Sequence, residues 1–331
     1  MNNFSYTRAS DVATAVREVS GDDAAVFIAG GTNLIDLMKE NVTRPGRLID
    51  ITRLPLARIE ELPDGGLRLG ALVTNADTAY NEQVERRYPL LARAILAGAS
   101  AQLRNMATNG GNLMQRTRCL YFYDRATPCN KRDPGAGCSA ADGFNRMHAI
   151  LGASEQCIAV HPSDMCVALA ALDAQVQVTG PRGDRTIPFG EFHRLPGDTP
   201  QIDNTLRSDE IITAIDLPPR GFADHYAYLK VRDRTSYAFA LVSVAAALDM
   251  KGDTVVEARL ALGGVAHKPW RDMHAEEMLK GLSVTKDHFE AVASEIVREA
   301  RGFADNSFKI VLAQRAIVRA LQHAAAMGRQ S

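Results

Sequence analysis

Residues 25–39, AVFIAGGTNLIDLMK, constrain the fold of this chain more than any other segment. Ala25 to Ala29 make a short apolar run of buried-strand type, Gly30 and Gly31 break it, and Leu34, Leu37 and Met38 resume at helical spacing. A backbone without side-chain bulk can approach an anion closely and present its amide hydrogens to it. Thr32 and Asn33 add polar side chains to the same turn. A second segment, ATNGGNL, repeats the character with Thr108, Asn109, Gly110, Gly111 and Asn112. Neither segment fits the G-x-G-x-x-G fingerprint or the P-loop, so the usual nucleotide motifs do not apply. Either alone also reads as an ordinary tight turn. Two of them, both polar-flanked, favour cradles for a phosphate-bearing ligand.

The texture around these segments is α+β. Ser10 and Asp11 precede Val12, Ala15, Val16 and Val19 at helical spacing, which predicts a capped helix. Strands are expected over Arg47 to Thr52 and from Gly66 in GLRLGALVT, and YPLLARAILAGAS predicts a helix. Periodicity then collapses between Arg116 and Ser154, where Pro128, Pro134, Gly135, Gly137 and Gly143 punctuate the chain. A long irregular stretch inside a compact domain is usually functional unless it is disordered. Regular structure resumes in HPSDMCVALAALDAQVQVTGPRGDRTIPF as a capped helix and two strands joined by a turn. LPPRGF, residues 217–222, reads as a linker to a last section with YAYLKVRD, ARLALGGVA and a helix in SFKIVLAQRAIVRALQHAAAM. At 331 residues the chain exceeds the roughly 100–200 of one domain. We divide it into 1–60, 61–220 with an insertion at about 116–158, and 222–331.

With 38 basic against 39 acidic residues, the chain has no global field to draw nucleic acid or an anionic membrane surface. No apolar run approaches the roughly 20 residues of a membrane span, and the first residues lack the pattern of a secretory signal. A soluble protein is expected, cytoplasmic, or periplasmic if exported with a signal-bearing partner.

Five cysteines, an odd number in a chain of this size, do not make a secreted disulfide framework. Cys166 sits among apolar neighbours in DMCVALAAL and reads as packing. Cys119, Cys129, Cys138 and Cys157 lie in or beside the irregular stretch as C-x9-C-x8-C-x18-C, which matches neither structural zinc nor common ferredoxin spacing. Four thiolates gathered by a loop with little core of its own could still bind an iron–sulfur cluster, whose ligation would supply folding energy. Arg116, Arg118, Arg125, Lys131 and Arg132 would offset its negative charge. Tyr121, Phe122 and Tyr123 could shield it or simply pack the loop. A stand-alone iron–sulfur sensor, or a zinc-stapled binding module, is the alternative these residues leave open.

The segments FIAGGTNLIDLMK, QLRNMATNGGNL, HPSD, YLKVRDR and ALGGVAHKPWR occur in the order found in FAD-binding subunits of the xanthine dehydrogenase and aldehyde oxidoreductase group, which the whole chain resembles. That resemblance implies an FAD-binding fold of the vanillyl-alcohol-oxidase type in two subdomains, then a C-terminal α+β domain of the CO dehydrogenase flavoprotein type. It also implies site residues. Val26, Phe27, Ile28, Ala29, Gly30, Gly31, Thr32, Asn33 and Leu34 would wrap the diphosphate, with Thr108, Gly111 and Asn112 near the flavin end. Asp164 would take a ribose hydroxyl or adenine-side contact, and Lys230 would approach the flavin. Helix N-capping competes for Asp164, and a solvated strand face for Lys230.

RTRCLYFYD, PCNKR, GAGC and SEQCIAVHPSDM resemble the cluster segment of one branch, the FAD subunit of three-subunit bacterial aldehyde oxidoreductases that carries an additional 4Fe-4S cluster. The ligands implied are Cys119, Cys129, Cys138 and Cys157. A heterotrimer follows from the resemblance, with a molybdopterin-containing large subunit that oxidises the aldehyde and a small 2Fe-2S subunit as relay. Electrons would reach FAD on this chain and leave to an external acceptor. No substrate-oxidising residue is expected here.

Overall fold

β1 (Ser5–Arg8), β2 (Ala25–Ile28) and β3 (Arg47–Asp50) form a parallel sheet with β3 in the centre, in a computed structural model that describes residues 1–327. Parallel pairing requires a crossover. The helix Leu34–Lys39 supplies it between the paired strands β2 and β3, and the helix Val12–Ser20 carries the chain from β1 to β2; Asp11 starts this longer helix, its side chain accepting from the Thr14 amide. Its buried face, Ala15, Val16 and Val19, packs in one cluster with Ala25 and Ile49.

A five-stranded antiparallel sheet follows. Its strands are β4 (Ile59–Glu61), β5 (Leu67–Gly70), β6 (Gln175–Gly180), β7 (Gly183–Pro188) and β8 (Ile211–Leu217), in the order β4-β5-β8-β6-β7. Leu67, Leu69, Val176, Val178, Ile215 and Leu217 share a buried cluster with the helices Pro89–Ala97 and Asp164–Ala171. The last section is an antiparallel meander of β9 (Tyr226–Val231), β10 (Val242–Lys251) and β11 (Thr254–Gly263) with β10 in the middle. Helices Lys286–Ile296 and Phe308–Met327 cover it through Phe289, Val292, Ala316, Ile317 and Leu321. Among the described residues no helix is long and apolar enough to cross a membrane. The end of the expected C-terminal domain, 328–331, lies outside the described residues.

Two features differ from the sequence expectation, and the connection at 217–222 is anchored. The second glycine segment is not a simple turn: Thr108 caps a short helix, Asn109–Leu113, by accepting from the Gly111 amide at 3.3 Å. The irregular stretch contains two single helical turns, Leu120–Tyr123 and Ser139–Asp142. The segment 217–222 is no slack linker. The Tyr88 hydroxyl donates to the Pro218 carbonyl at 2.6 Å, and a Cβ on Gly221 would stand 1.6 Å from the Arg87 carbonyl oxygen.

That contact leaves room only for glycine. Gly221→Ala is expected to destabilise the protein by about 1–3 kcal/mol, the usual cost of overpacking. Gly190→Ala, at a position where nothing lies within 4 Å of the added carbon, should change stability by less than about 0.5 kcal/mol. Thermal unfolding of both variants checks the pair; equal transitions would show that the backbone at Gly221 yields freely.

Candidate functional site

The two glycine segments meet. Gly30 lies against the backbone of the second segment so closely that a Cβ there would be 1.8 Å from the Met106 carbonyl oxygen. Gly31 has φ +72°, the left-handed region that glycine occupies without strain. Val26, Phe27 and Ile28 lead into this turn as β2, Ala29, Thr32 and Asn33 are half-buried within it, and Leu34 opens the helix Leu34–Lys39. Asn33 accepts from the Arg116 amide at 2.9 Å, while its own side-chain Nδ2 is buried with no partner. A buried donor left unmade is costly, which marks this amide as one that a ligand could satisfy.

From the second segment a chain of side chains runs to the HPSD motif. Asn112 donates to Asn75 at 2.6 Å and accepts from Ser163 Oγ at 2.5 Å. Ser163 in turn caps the helix Asp164–Ala171 by accepting from the Cys166 amide at 3.0 Å. With the cap made by Ser163, the Asp164 carboxylate is free for tertiary contacts. It accepts from Tyr228 Oη at 2.7 Å and from Lys230 Nζ at 2.8 Å, and Lys230 also donates to the Ala97 carbonyl at 3.1 Å. Both side chains of the ion pair are buried, 7% and 4% exposed, so Lys230 is not on a solvated face.

Asp164 also lines a pocket of about 160 Å³ bounded by the HPSD segment, the irregular stretch and the β10–β11 region, with Thr117, Cys119, His148, His161 and Ser243 among its walls. A second, smaller cavity is lined by Cys119, Cys129, Cys138 and Cys157 together. None of the five cysteines is in a disulfide. Burial pushes the Cys119 thiol up to about 11. Cys138 and Cys157 share a hydrogen bond that lowers the first and, with burial, raises the second. The hairpin-like pairing of Cys129 with Cys138 is fixed by Asn130 N to Gly137 O at 2.7 Å.

Four of the five cations expected to offset a cluster charge have partners other than the thiols. Lys131, 1% exposed, pairs with Asp203 and donates to the Pro200 carbonyl at 2.6 Å, and Arg116 Nε reaches the same carboxylate at 2.7 Å. Arg132 donates to the carbonyls of Tyr121 and Phe122, and Arg118 to Asp36 at 3.2 Å. Cys166 is fully buried, and burial pushes it up to about 12. Its sulfur and one ring nitrogen each of His161 and His193 lie within 4.8 Å of one another, a juxtaposition the sequence spacing did not reveal.

Sequence reasoning also missed His148, Asn306 and Lys309. Lys309 is wholly buried, lowered to about 7 by that burial, and its Nζ donates to the carbonyls of His148 at 2.7 Å and Gly264 at 2.6 Å. Asn306 donates to His148 and Ala149 carbonyls at 3.2 and 3.1 Å. A lysine in an amphipathic helix gives no sign in sequence that it points inward.

Comparison with known proteins covers nearly the whole chain. Residues 2–220 match the family described as FAD binding domain in molybdopterin dehydrogenase, and residues 226–324 match the CO dehydrogenase flavoprotein C-terminal domain. The chain is 50% identical over 327 residues to the aldehyde oxidoreductase FAD-binding subunit PaoB of Escherichia coli (strain K12), covering 98% of this chain and 99% of that one. It is 28% identical over 295 residues to the glyceraldehyde dehydrogenase medium chain of Sulfolobus acidocaldarius, covering 88% and 86%. Among solved structures, a carbon monoxide dehydrogenase from Hydrogenophaga pseudoflava superposes with a TM-score of 0.78 at 26% identity, covering 98% of each chain.

The clamp on the insertion generates a pH dependence. Burial alone would raise the Asp203 carboxyl, but Lys131 and Arg116 outweigh it and hold the group at about 2. A carboxyl depressed in the folded state contributes stability that is complete above its unfolded value, near 4, and is lost as pH falls through the folded one. Thermal unfolding midpoints should therefore fall between about pH 4 and 2 in the native protein. Asp203→Asn should start lower at neutral pH and lose less across that window; parallel curves would remove Asp203 from the acid response.

Proposed function

This chain belongs to the FAD-binding subunits of the xanthine dehydrogenase and molybdenum hydroxylase family, and from that membership we propose that it is the flavin- and cluster-bearing electron-transfer subunit of an aldehyde-oxidising complex. The observation that carries the flavin assignment is the meeting of the glycine segments at Gly30 and Met106, with the buried, partnerless Asn33 amide beside it. Backbone amides and hydroxyls hold a diphosphate without a metal. Residues Val26 to Leu34 would hold the diphosphate, with Thr108, Gly111 and Asn112 toward the flavin end. The Asp164 carboxylate is suited to accept from a ribose hydroxyl, and the Lys230 ammonium to offset negative charge that develops on the flavin ring. Bound FAD supplies the ability to take electrons one at a time from iron–sulfur centres and pass them on.

We extend the proposal to a 4Fe-4S cluster on Cys119, Cys129, Cys138 and Cys157. What supports it is that all four thiols line one cavity although 38 residues separate the first from the last. Four thiolates on one zinc would crowd their sulfurs to about 4 Å, from a Zn–S distance of ~2.3 Å. Among the described residues, the ligand atoms gathered within 4.8 Å are those of His161, Cys166 and His193, not of these cysteines. The enclosed space is small, so loading it requires the thiols to move outward, which the loop character of 116–158 allows.

The partners follow from the relatives' medium-chain position: a molybdopterin-containing large subunit that oxidises the aldehyde and a 2Fe-2S small subunit. This chain would receive their electrons and deliver them to an external acceptor, in the cytoplasm, or in the periplasm if a partner carries the export signal. The units 1–60, 61–220 and 222–331 divide this work into a diphosphate cradle, a flavin and cluster platform, and a covering domain.

Metal and flavin analysis of five single variants tests the proposal. Cys119→Ser, Cys129→Ser, Cys138→Ser and Cys157→Ser should each lose most of the iron and sulfide or destabilise the insertion. Cys166→Ser should keep both, with the modest penalty of a hydroxyl in an apolar helix face. Iron loss at Cys166 equal to the others, no loss at the four, or zinc without flavin in the native protein would overturn it.

A further inference from the structure

Cys129 and Cys138 stand opposite each other in an antiparallel pair. The Asn130 amide donates to the Gly137 carbonyl at 2.7 Å and the Ser139 amide to the Pro128 carbonyl at 3.2 Å, so the backbone bonds flank the two cysteines without joining them. That pattern defines the closer of the two antiparallel pairings, with Cα atoms about 4.5 Å apart and side chains on the same face. Both thiols accordingly line the same small cavity. Disulfides span Cα separations of roughly 4.4–6.8 Å, so a bond between these two sulfurs asks for no change of backbone register.

Groups other than sulfur hold the pair in place. The chain turns back between the two cysteines through the Asp133 amide, which donates to the Cys129 carbonyl at 2.8 Å, and the Gly137 amide, which donates to Asn130 Oδ1 at 2.7 Å. Asn130 Nδ2 donates to the Gln156 carbonyl at 3.0 Å, and Lys131 Nζ to the Pro200 carbonyl at 2.6 Å, so the turn is tied to two other segments. The two thiols differ in access. Cys129 is 7% exposed, whereas Cys138 is half-buried and follows the exposed residues 133–136. A small oxidant arriving from solvent therefore meets Cys138 first.

We propose that Cys129 and Cys138 form a reversible disulfide across this turn whenever their thiols hold no iron, with Cys138 reacting first and Cys129 resolving. The Cys138 thiolate attacks one sulfur of a low-molecular-weight disulfide, releasing one small thiol and leaving a mixed disulfide on the protein. The Cys129 thiolate then displaces the second small thiol and closes the Cys129–Cys138 bond. Two protein thiols are oxidised, the small disulfide takes both electrons, and the two protons end on the thiols released. A thiolate that ligates iron has given its lone pair to the metal and is a poor nucleophile, so bound iron protects the pair. The pairing itself stands on the backbone register; its consequence rests on reading both residues as cluster ligands. With two of four ligands oxidised, the insertion cannot take up a cluster until a reductant reopens the bond.

The test exposes the full chain to oxidised glutathione, both as purified and after iron removal, then alkylates the remaining thiols and maps the peptides by mass spectrometry. Without iron, one disulfide should link the peptides carrying Cys129 and Cys138, and a dithiol should reverse it. Iron uptake on reconstitution should be largely lost in the oxidised chain and return after reduction. Cys129→Ser should stop at the mixed disulfide, with glutathione held on Cys138, and Cys138→Ser should leave Cys129 unlinked. A link from Cys138 to Cys119 or Cys157, no link at all, or a Cys129→Ser chain without glutathione on Cys138 overturns the inference. So does an iron-replete protein that forms the link as fast as the stripped one. A native protein that never carries iron removes the cluster reading and the effect on loading, while the presence or absence of the Cys129–Cys138 link still decides the pairing.

Discussion

The close approach of Gly30 to the Met106 carbonyl fixes how the parallel sheet meets the rest of the flavin-binding unit. A side chain at position 30 would occupy the space now filled by the backbone of Met106 and Ala107, so the two segments can approach this closely only because residue 30 is glycine. Everything proposed for the diphosphate depends on that approach. Gly31, in the left-handed region, turns β2 into the following helix and leaves Asn33 with an unmade amide.

A second constraint is electrostatic. Asp164 and Lys230 come from a helix of the region matched to the FAD-binding family and a strand of the region matched to the flavoprotein C-terminal family, and neither is solvated. Removing one partner of such a pair strands a buried charge, at a typical cost of about 3–5 kcal/mol. The pair therefore joins the two regions while placing a carboxylate at the pocket wall. The insertion is held in a comparable way, by Lys131 and Arg116 on Asp203 and by Asn306 and Lys309 on the His148 carbonyl. Phe122 and Cys129 form only a small cluster with Leu37, while Ile150 and Leu151 at the end of the insertion join the core of the last section.

Much of this was legible in the sequence because local chemistry and tertiary role coincide. The strand, paired glycines and helix of residues 25–39 fold as their pattern predicts, and the cap expected before DMCVALAAL is made by Ser163. β10 was not assigned, since VSVAAALDMK is rich in alanine and carries no alternation when both faces are buried. The pairing of Lys230 with Asp164, 66 residues away, has no local signal at all. The same holds for His148, which Cys119 and the last helix close around. The basic residues of the insertion suggested charge compensation for a cluster, but acceptors from distant segments take up Lys131, Arg116 and Arg118.

The most direct test of the central claim is the flavin-to-protein ratio of Gly31→Val, with iron content and thermal unfolding as evidence that the rest of the chain has folded. Valine cannot adopt the +72° φ of this position without strain, and its Cβ would stand 2.7 Å from the Ile35 side chain, forcing the turn and the start of the following helix to shift. The account predicts loss of FAD with iron largely retained. A folded Gly31→Val protein carrying a full complement of FAD would contradict it.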